Sequence, residues 1–314
     1  MNAFRFSKVI SDRLATFSAQ AGNKSMQKAV FFGSGAAVAT GALFASTLFA
    51  DAPKSAVALD GESFVGFKLQ KVTTLNHNTA RFSFAFPAGT TDLGLPTASC
   101  LVVKFALPTN EGEKPKNVIR PYTPIHSETP GTFDLLVKKY PGGAASSHIH
   151  SLKVGDTLAM KGPIPKYILK QNEFKHIGMV AGGTGLTPMM QIISHVLADK
   201  SEKTKLSLIF ANQTEEDILL KDWLDQQVKA HPGRFEVFYT LDKAPEGWKF
   251  GKGFVTEDML KKFMPKPTEG KVFICGPDPF VKFLSGAKAP DRSQGPIGGL
   301  LEKMGFKSED VFKF

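Results

Sequence analysis

A change of pattern near residue 170 constrains the fold of this 314-residue chain more than any other feature of its sequence. Beyond that point, apolar strand-like runs alternate with helical stretches. The strand-like runs are HIGMVAGG, LSLIFAN, FEVFYTL and KVFICGP, and the helical stretches are PMMQIISHVLAD and EDILLKDWLDQQVKAH. Alternation of strand and helix predicts a parallel, doubly wound α/β sheet, here over residues 174–314.

The preceding part of the chain, residues 61–169, is rich in short strands instead. Its apolar or alternating runs, separated by Pro, Gly and Asn, are VGFKLQKVTTL, ARFSFAF, CLVVKFAL and TFDLLVKKY. Short strands at close spacing predict an antiparallel β-barrel, which we expect to end with the run VGDTLAMKGP. The chain is therefore predicted to hold two domains, a barrel at 61–169 and an α/β domain at 174–314.

The first 60 residues form three further segments. Residues 1–28 carry five basic residues and one acidic residue among several Ser and Ala, which is typical of a mitochondrial targeting segment; the alternative is a solvated terminus. Residues 29–50 contain no charge and no proline. As a helix they would span ~33 Å, about one hydrocarbon core, so we predict a transmembrane anchor. Residues 51–60 are a short linker.

Charge and cysteine content exclude several classes of protein. The net charge is +10, and 33 basic and 27 acidic residues lie from position 60 onward. This moderate positive charge suits an acidic partner protein or an anionic membrane surface. Nucleic acid is not predicted as a partner, because no basic stripe interleaves with aromatic residues. The two cysteines exclude a disulfide framework, and no Cys/His cluster has the spacing of a metal site.

The segment RPYTP is the first candidate site, on a predicted barrel strand. Arg120 offers a two-pronged donor to a phosphate. Tyr122 lies on the same side of the strand and can support a flat ring, while the hydroxyl of Thr123 can bond a ring nitrogen. The alternative is an ordinary turn with a surface arginine.

A second candidate site is the segment PGGAAS at residues 141–146, which precedes a predicted helix. Paired glycines let backbone N–H groups approach a phosphate, and the start of a helix favours negative charge. The alternative is a flexible turn capped by Ser146.

Two glycine-containing turns at the ends of predicted parallel strands are the third and fourth candidate sites. The segment AGGTGLTP at 181–188 follows a strand and opens a helix, where a phosphate site makes physical sense. It is not a P-loop, and Pro188 stands where G-x-G-x-x-G has its third glycine. The segment Cys275-Gly276-Pro277 lies at the carboxyl end of another strand, where open α/β folds bind ligands. A tight turn and a buried cysteine are the simple alternatives.

Together the four motifs resemble the ferredoxin–NADP reductase superfamily and, within it, the NADH–cytochrome b5 reductase family. The resemblance runs from about Val65 to the C-terminus and includes LNHNTARFSF, RPYTP, GGTGLTPM, FANQTEEDILL, YTLDKAPEGW, GFV and CGP. It implies an FAD-binding barrel followed by an NADH-binding α/β domain. The N-terminal segments and the ending GFKSEDVFKF look most like the fungal mitochondrial form of the family.

The resemblance also implies roles for individual residues. Those expected to hold FAD are Arg120, Tyr122, Thr123, Lys138, Tyr140, Gly143, Ala144, Ala145, Ser146, Thr184 and Thr187. Those expected to bind NADH are Gly182, Gly183, Gly185, Gln213, Asp242, Phe254, Gly276 and Pro277. At the reacting centre, His77 would support Thr123, and Cys275 would limit the approach of the nicotinamide.

Asp242 follows the strand FEVFYTL, at the carboxyl end where the adenosine ribose is expected. A carboxylate there can accept a hydrogen bond from a ribose 2′-hydroxyl and would repel the 2′-phosphate of NADPH. The alternative is a solvated turn residue that opens DKAPEG.

The implied activity is reduction of cytochrome b5 by NADH through FAD. The implied location is the mitochondrial outer membrane, with a single N-terminal anchor and some molecules released in soluble form into the intermembrane space. One alternative is a reductase of the same superfamily that serves a quinone or another acceptor. A second is a non-enzymatic, membrane-tethered NADH-binding protein, which would be colourless.

Overall fold

The computed structural model describes residues 57–107 and 114–314. The predicted targeting segment (1–28), the predicted anchor (29–50) and most of the predicted linker lie outside the described residues. Within the described part, no helix has both the length and the apolar character needed to cross a bilayer. The expectations about the N-terminus therefore stay predictions.

The first half of the described chain forms an antiparallel sheet of seven strands. These are β1 (Val65–Thr74), β2 (Thr79–Ala85), β3 (Ser99–Leu107), β4 (Lys116–Tyr122), β5 (Ile125–His126), β6 (Thr132–Lys138) and β7 (Thr157–Pro165), with helix α1 (Ala144–Ser151) between β6 and β7. Their hydrogen-bonded order is β4-β3-β7-β1-β2-β6-β5. The two edge strands follow one another in the chain with only two residues between them, so the sheet curls towards itself as a barrel does.

Alternation along the strands places an aromatic core inside this curled sheet. In β1, Phe67 and Leu69 are buried while the Lys68 between them is exposed. The ring of Phe67 meets that of Phe133 edge-on at 5.2 Å, and Phe84 stacks on Phe133 at 5.8 Å. These are the arrangements that aromatic pairs prefer, so some of the 27 phenylalanines of the chain serve core packing.

The second half of the described chain forms a parallel sheet of six strands with helices between them. Its strands are β8 (His176–Gly182), β9 (Lys205–Asn212), β10 (Phe235–Leu241), β11 (Gly251–Lys252), β12 (Lys271–Cys275) and β13 (Val311–Lys313). Its helices are α2 (Leu186–Ala198), α3 (Lys221–Ala230), α4 (Glu257–Phe263), α5 (Asp278–Ser285) and α6 (Gly299–Lys303), and short 3-10 turns lie at Gly183–Gly185, Glu215–Asp217 and Ser308–Asp310.

Helices cover both faces of this parallel sheet, as the doubly wound prediction requires. On one face, Leu208 and Phe210 of β9 share a core with residues of α2 and α3. On the other face, Ile209 packs with residues of α4, α5 and α6. Helix α2 is buried almost throughout, because barrel residues such as Ile125 and Leu136 cover the side turned away from the sheet. Barrel and α/β part thus belong to a single compact unit.

The strand order of the parallel sheet identifies where a ligand would bind. The order is β11-β10-β9-β8-β12-β13, so the chain starts at β8, moves outward on one side and returns to β12 on the other. Neighbouring strands β8 and β12 therefore form the switch point, and ligands of open α/β sheets bind at its carboxyl edge. The segments that end β8 and β12 are the two glycine-containing turns singled out in the sequence.

One predicted helix begins later than the sequence pattern indicated. The stretch 216–231 was expected to be helical throughout, but α3 begins at Lys221. Leu220 has a φ of 54°, a left-handed conformation that interrupts a helix. Upstream, the carboxylate of Asp217 accepts hydrogen bonds from the backbone and the hydroxyl of Thr214, which closes a separate 3-10 turn.

Candidate functional site

The RPYTP segment occupies the end of edge strand β4 and the residues directly after it. Arg120 is exposed, and its Nη1 donates to the carbonyl oxygen of Ile119 at 2.8 Å. Tyr122 lies two residues further along and is half-buried, and burial raises the pKa of its phenol to about 12. The phenol therefore stays protonated and able to donate a hydrogen bond at neutral pH. Thr123 follows the strand and is half-buried.

The glycine turn before α1 leaves the start of that helix without a side-chain cap. Gly142 has a φ of 71°, and Gly143 occupies the cap position. The Ser146 hydroxyl donates to the Gly143 carbonyl oxygen at 3.1 Å and accepts from the backbone N–H of Tyr140 at 3.2 Å. The Ser146 hydroxyl is used within the turn and does not cap the helix. The backbone N–H groups of the first helical turn, at Ala144 and Ala145, are therefore the groups that would bind a phosphate.

Lys138 links the barrel to the α/β part. Its Nζ lies 3.3 Å from Oδ1 of Asp217, which belongs to the 3-10 turn after β9. Both side chains are largely shielded from solvent. Burial alone would raise the pKa of the Asp217 carboxyl, but the hydrogen bond from Thr214 and the charge of Lys138 outweigh it, so the pKa is lowered. Tyr140, by contrast, is 47% exposed at the barrel surface.

The GGTG turn at the end of β8 packs directly against the CGP turn at the end of β12. A Cβ atom on Gly185 would lie 2.2 Å from the carbonyl oxygen of Cys275, so only glycine lets the two backbones meet. Gly183 has a φ of 54°, which suits glycine for conformational reasons. The Thr187 hydroxyl donates to the carbonyl oxygen of Thr184 at 3.1 Å and ties the turn to the first turn of α2.

Cys275 is the last residue of β12 and is half-buried. Burial raises the pKa of its thiol to about 12. It is therefore a neutral, apolar contact surface at physiological pH rather than a nucleophile. Gly276 packs beside Phe280 of α5, and Pro277 precedes that helix.

Gln213 and Asp242, both predicted to bind NADH, lie at the carboxyl ends of β9 and β10. The backbone N–H of Asp242 donates to the carbonyl oxygen of Asn212 at 3.0 Å, and that of Lys243 donates to Gln213 at 2.8 Å. The Asp242 side chain is exposed; partial desolvation raises the pKa of its carboxyl and Lys243 opposes the rise. Phe254, just beyond β11, is 75% exposed. A flat, solvent-facing ring suits stacking on an adenine.

His77 lies in the turn between β1 and β2 and is exposed. Its Nε2 is 2.8 Å from Nδ2 of the neighbouring Asn78, so its observed polar contact is local. The support that it was expected to give Thr123 stays a prediction.

Sequence reasoning did not identify three residues that the structure places at this site. Asn212 is only 8% exposed, and its side-chain amide has no hydrogen-bond partner among the described residues. Asp217 forms the ion pair with Lys138, and Gln191 of α2 bonds to two barrel segments. Asn212 ends an apolar strand at its carboxyl edge, which is the one feature of the sequence that could have singled it out.

These features fit FAD and NADH. The uncapped start of α1 offers backbone donors to a diphosphate. The unpaired amide of Asn212 is costly where it stands, and a polar group of a cofactor at the carboxyl edge would remove that cost. Within the described residues, no group of three His, Cys, Asp or Glu side chains is arranged to hold a metal ion.

The fold and this site define a two-domain oxidoreductase that uses a flavin and a nicotinamide. The model of the oxidoreductase FAD-binding domain family matches residues 66–168, and that of the oxidoreductase NAD-binding domain family matches residues 179–286. The chain is 46% identical over 271 residues to NADH-cytochrome b5 reductase 2 of Mycosarcoma maydis, covering 84% of this chain and 77% of the relative. It is 47% identical to the protein of the same name from Coccidioides immitis, covering 83% and 80%.

Among solved structures, the chain resembles the cytochrome b5 reductase domain of Ulva prolifera nitrate reductase. That comparison has a TM-score of 0.70 and 34% sequence identity, and it covers 82% of this chain and all of the other. The chain belongs to the NADH–cytochrome b5 reductase family.

Proposed function

We propose that this protein oxidises NADH through bound FAD and passes the electrons to cytochrome b5. The observation that carries the proposal is the direct packing of the GGTG turn on the CGP turn at the switch point of the sheet. Ile125, the residue after RPYTP, lies in the same buried cluster as Leu186, the residue after the GGTG turn. Bound FAD supplies the conversion between a two-electron hydride donor and a one-electron haem acceptor. The relatives that match this chain in sequence are named for the same acceptor.

The residues of this chain bind and orient rather than react. Arg120 and the start of α1 would hold the phosphates of FAD, and the Tyr122 phenol would support the flavin ring. The two glycine-containing turns would admit the nicotinamide, with the neutral Cys275 behind it. Asp242 would bind the adenosine ribose of NADH.

The visible spectrum of the purified protein, recorded without oxygen before and after addition of NADH, tests this proposal. We expect a yellow protein whose flavin absorbance bleaches on addition of NADH. A colourless protein that still binds NADH would instead indicate a nicotinamide-binding protein without flavin chemistry.

We also propose that residues 29–50 anchor the enzyme to the mitochondrial outer membrane and that residues 1–28 direct it there. The support is the 22-residue uncharged stretch between Lys28 and Asp51, preceded by a basic segment poor in acidic residues. Some molecules would lack the anchor and be soluble in the intermembrane space. Alkaline carbonate extraction of mitochondria provides the test: the full-length chain should stay with the membranes, and its complete release would rule the anchor out.

A further inference from the structure

Gln191 joins the barrel to the helix that follows the GGTG turn. Its Oε1 accepts a hydrogen bond from the backbone N–H of Ser99 at 3.1 Å, and its Nε2 donates to the carbonyl oxygen of Pro124 at 2.7 Å. Both ends of one side-chain amide are therefore engaged by backbone groups of the barrel. Such a pair of directional bonds restrains orientation as well as distance.

One barrel partner of Gln191 begins the strand that pairs with β4, and the other closes the RPYTP segment that follows β4. Ser99 begins β3, which pairs with β4 so that Leu101 lies opposite Tyr122. Pro124 closes the RPYTP segment directly after Thr123. Because the start of β3 lies beside the end of β4, Gln191 holds the two strands at the end where Thr123 stands.

On the helix side, Gln191 lies one turn after Thr187 on the same face of α2. Thr187 is bonded in turn to Thr184 of the GGTG turn at 3.1 Å. The surroundings are apolar, since Met190 of the helix and Ile125 of the barrel lie in one buried cluster. Hydrogen bonds there are little weakened by competing water.

We propose that Gln191 is a positioning residue that fixes the flavin-side end of β4 against the nicotinamide-side turn. The inference rests on the proposed function, because its consequence is for hydride transfer between the two bound groups. Two further contacts join the same halves of the molecule, Lys138 with Asp217 and the Asn76 side chain with the Glu216 carbonyl, and both lie at the turn after β9. Of these three polar contacts between described residues, that of Gln191 reaches RPYTP itself.

Two substitutions in the full-length holoenzyme separate this role from general stability. Gln191→Leu removes both hydrogen bonds, and Gln191→Glu keeps an acceptor for Ser99 but removes the donor to Pro124. The matched control is Asn76→Asp. It removes the side-chain donor to Glu216 but keeps the oxygen that accepts from the backbone N–H groups of Asn78 and Thr79.

The first readout is hydrogen exchange of the Ser99 amide, which needs no NADH. We expect faster exchange in Gln191→Leu, and protection close to that of the unsubstituted protein in Gln191→Glu and Asn76→Asp.

The second readout is the limiting rate of flavin reduction by NADH in stopped flow. Misplacement by about 1 Å can cost ~100-fold, so we expect a fall of about 10- to 100-fold in both Gln191 variants. FAD content and the apparent NADH affinity should change less than about twofold, because no predicted cofactor contact is removed.

Reduction at the unsubstituted rate in either Gln191 variant would overturn the proposal. An equal loss of rate in Asn76→Asp would also overturn it, because the loss of any polar contact between the two domains would then slow flavin reduction. If Gln191→Leu does not retain FAD, Gln191→Glu alone decides by its limiting rate. Failure of the proposed function looks different: the unsubstituted protein itself would not be bleached by NADH, while the exchange of Ser99 would still report on the contact.

Discussion

Gly185 and Cys275 lie backbone against backbone, with 2.2 Å between the carbonyl oxygen of Cys275 and the place where a Cβ atom on Gly185 would stand. The φ of Gly185 is −60°, an ordinary helical value, so glycine is needed there for space and not for conformation. The contact joins the ends of β8 and β12, and it holds the two turns of the candidate nicotinamide site in one arrangement.

Gly185→Ala should therefore force the CGP turn away from the GGTG turn. We expect the free energy of unfolding to fall by about 1–3 kcal/mol, as overpacking usually costs, together with weaker binding of NAD⁺. Denaturant unfolding and titration with NAD⁺ measure the two effects. Gly61→Ala is the control, because nothing lies within 4 Å of a Cβ there. Wild-type stability and affinity in Gly185→Ala would show that the turns adjust freely.

Arg120→Ala should weaken retention of FAD. A charge-assisted phosphate contact is worth about 1.5–3 kcal/mol, so we expect the Kd for FAD to rise by about 10- to 100-fold. Flavin fluorescence on dilution measures the release. Lys116→Ala is the matched control, since Lys116 is an exposed cation on the same side of β4. Equal FAD retention in the two variants would remove Arg120 from the site.

Asp242→Ser should shift the choice of cofactor from NADH towards NADPH. The carboxylate would bond the ribose 2′-hydroxyl and repel a 2′-phosphate, and bonds to charged groups are worth about 1.5–3 kcal/mol. The ratio of kcat/KM for NADH to that for NADPH should then fall at least about tenfold. Glu246→Ser, in the same exposed turn, should leave the ratio unchanged. If both substitutions leave it unchanged, Asp242 is a turn residue and discrimination lies elsewhere.

Cys275 should resist alkylation at neutral pH. Burial raises the pKa of its thiol from the ordinary value of 9.0 to about 12, so the unreactive protonated form persists to higher pH than in a free peptide. The rate of alkylation by iodoacetamide, followed by mass spectrometry, should still rise about tenfold per pH unit between pH 8 and 10 in the native protein. In a peptide containing Cys275 it should level off near pH 9. A matching plateau in the native protein would contradict the burial of this thiol.

The sequence predicted an antiparallel sheet followed by a parallel one, because the pattern of apolar residues shows whether a strand is buried on one face or on both. β8 reads as a continuous apolar run because both of its faces are covered, whereas β1 alternates because one face meets solvent. The shortest elements were not predicted, because a periodic pattern needs several residues to be visible. Strand β11 has two residues and α6 has five, too few for a period to show.

The site divides in a similar way. Gly183 and Gly185 could be singled out from the sequence, since a positive φ favours glycine at the first and a close backbone contact requires it at the second. Gln191 and Asp217 could not, because a polar residue on a helix or in a turn is usually a solvated one. The barrel partners of Gln191 lie 67 and 92 positions away in the chain, and the barrel partner of Asp217 lies 79 positions away. Only the packing of the two domains brings those partners together.

Electron transfer to cytochrome b5 tests the central claim most directly. Enzyme reduced by NADH without oxygen is mixed with oxidised cytochrome b5, and the haem and flavin bands are followed together. We expect rapid haem reduction matched by flavin reoxidation. Its rate should fall steeply as salt rises, because attraction between this basic domain and an acidic partner is screened beyond ~8 Å at physiological ionic strength. Reduction of the flavin by NADH should change much less. Flavin that bleaches with NADH yet leaves cytochrome b5 oxidised would contradict the assignment of the acceptor.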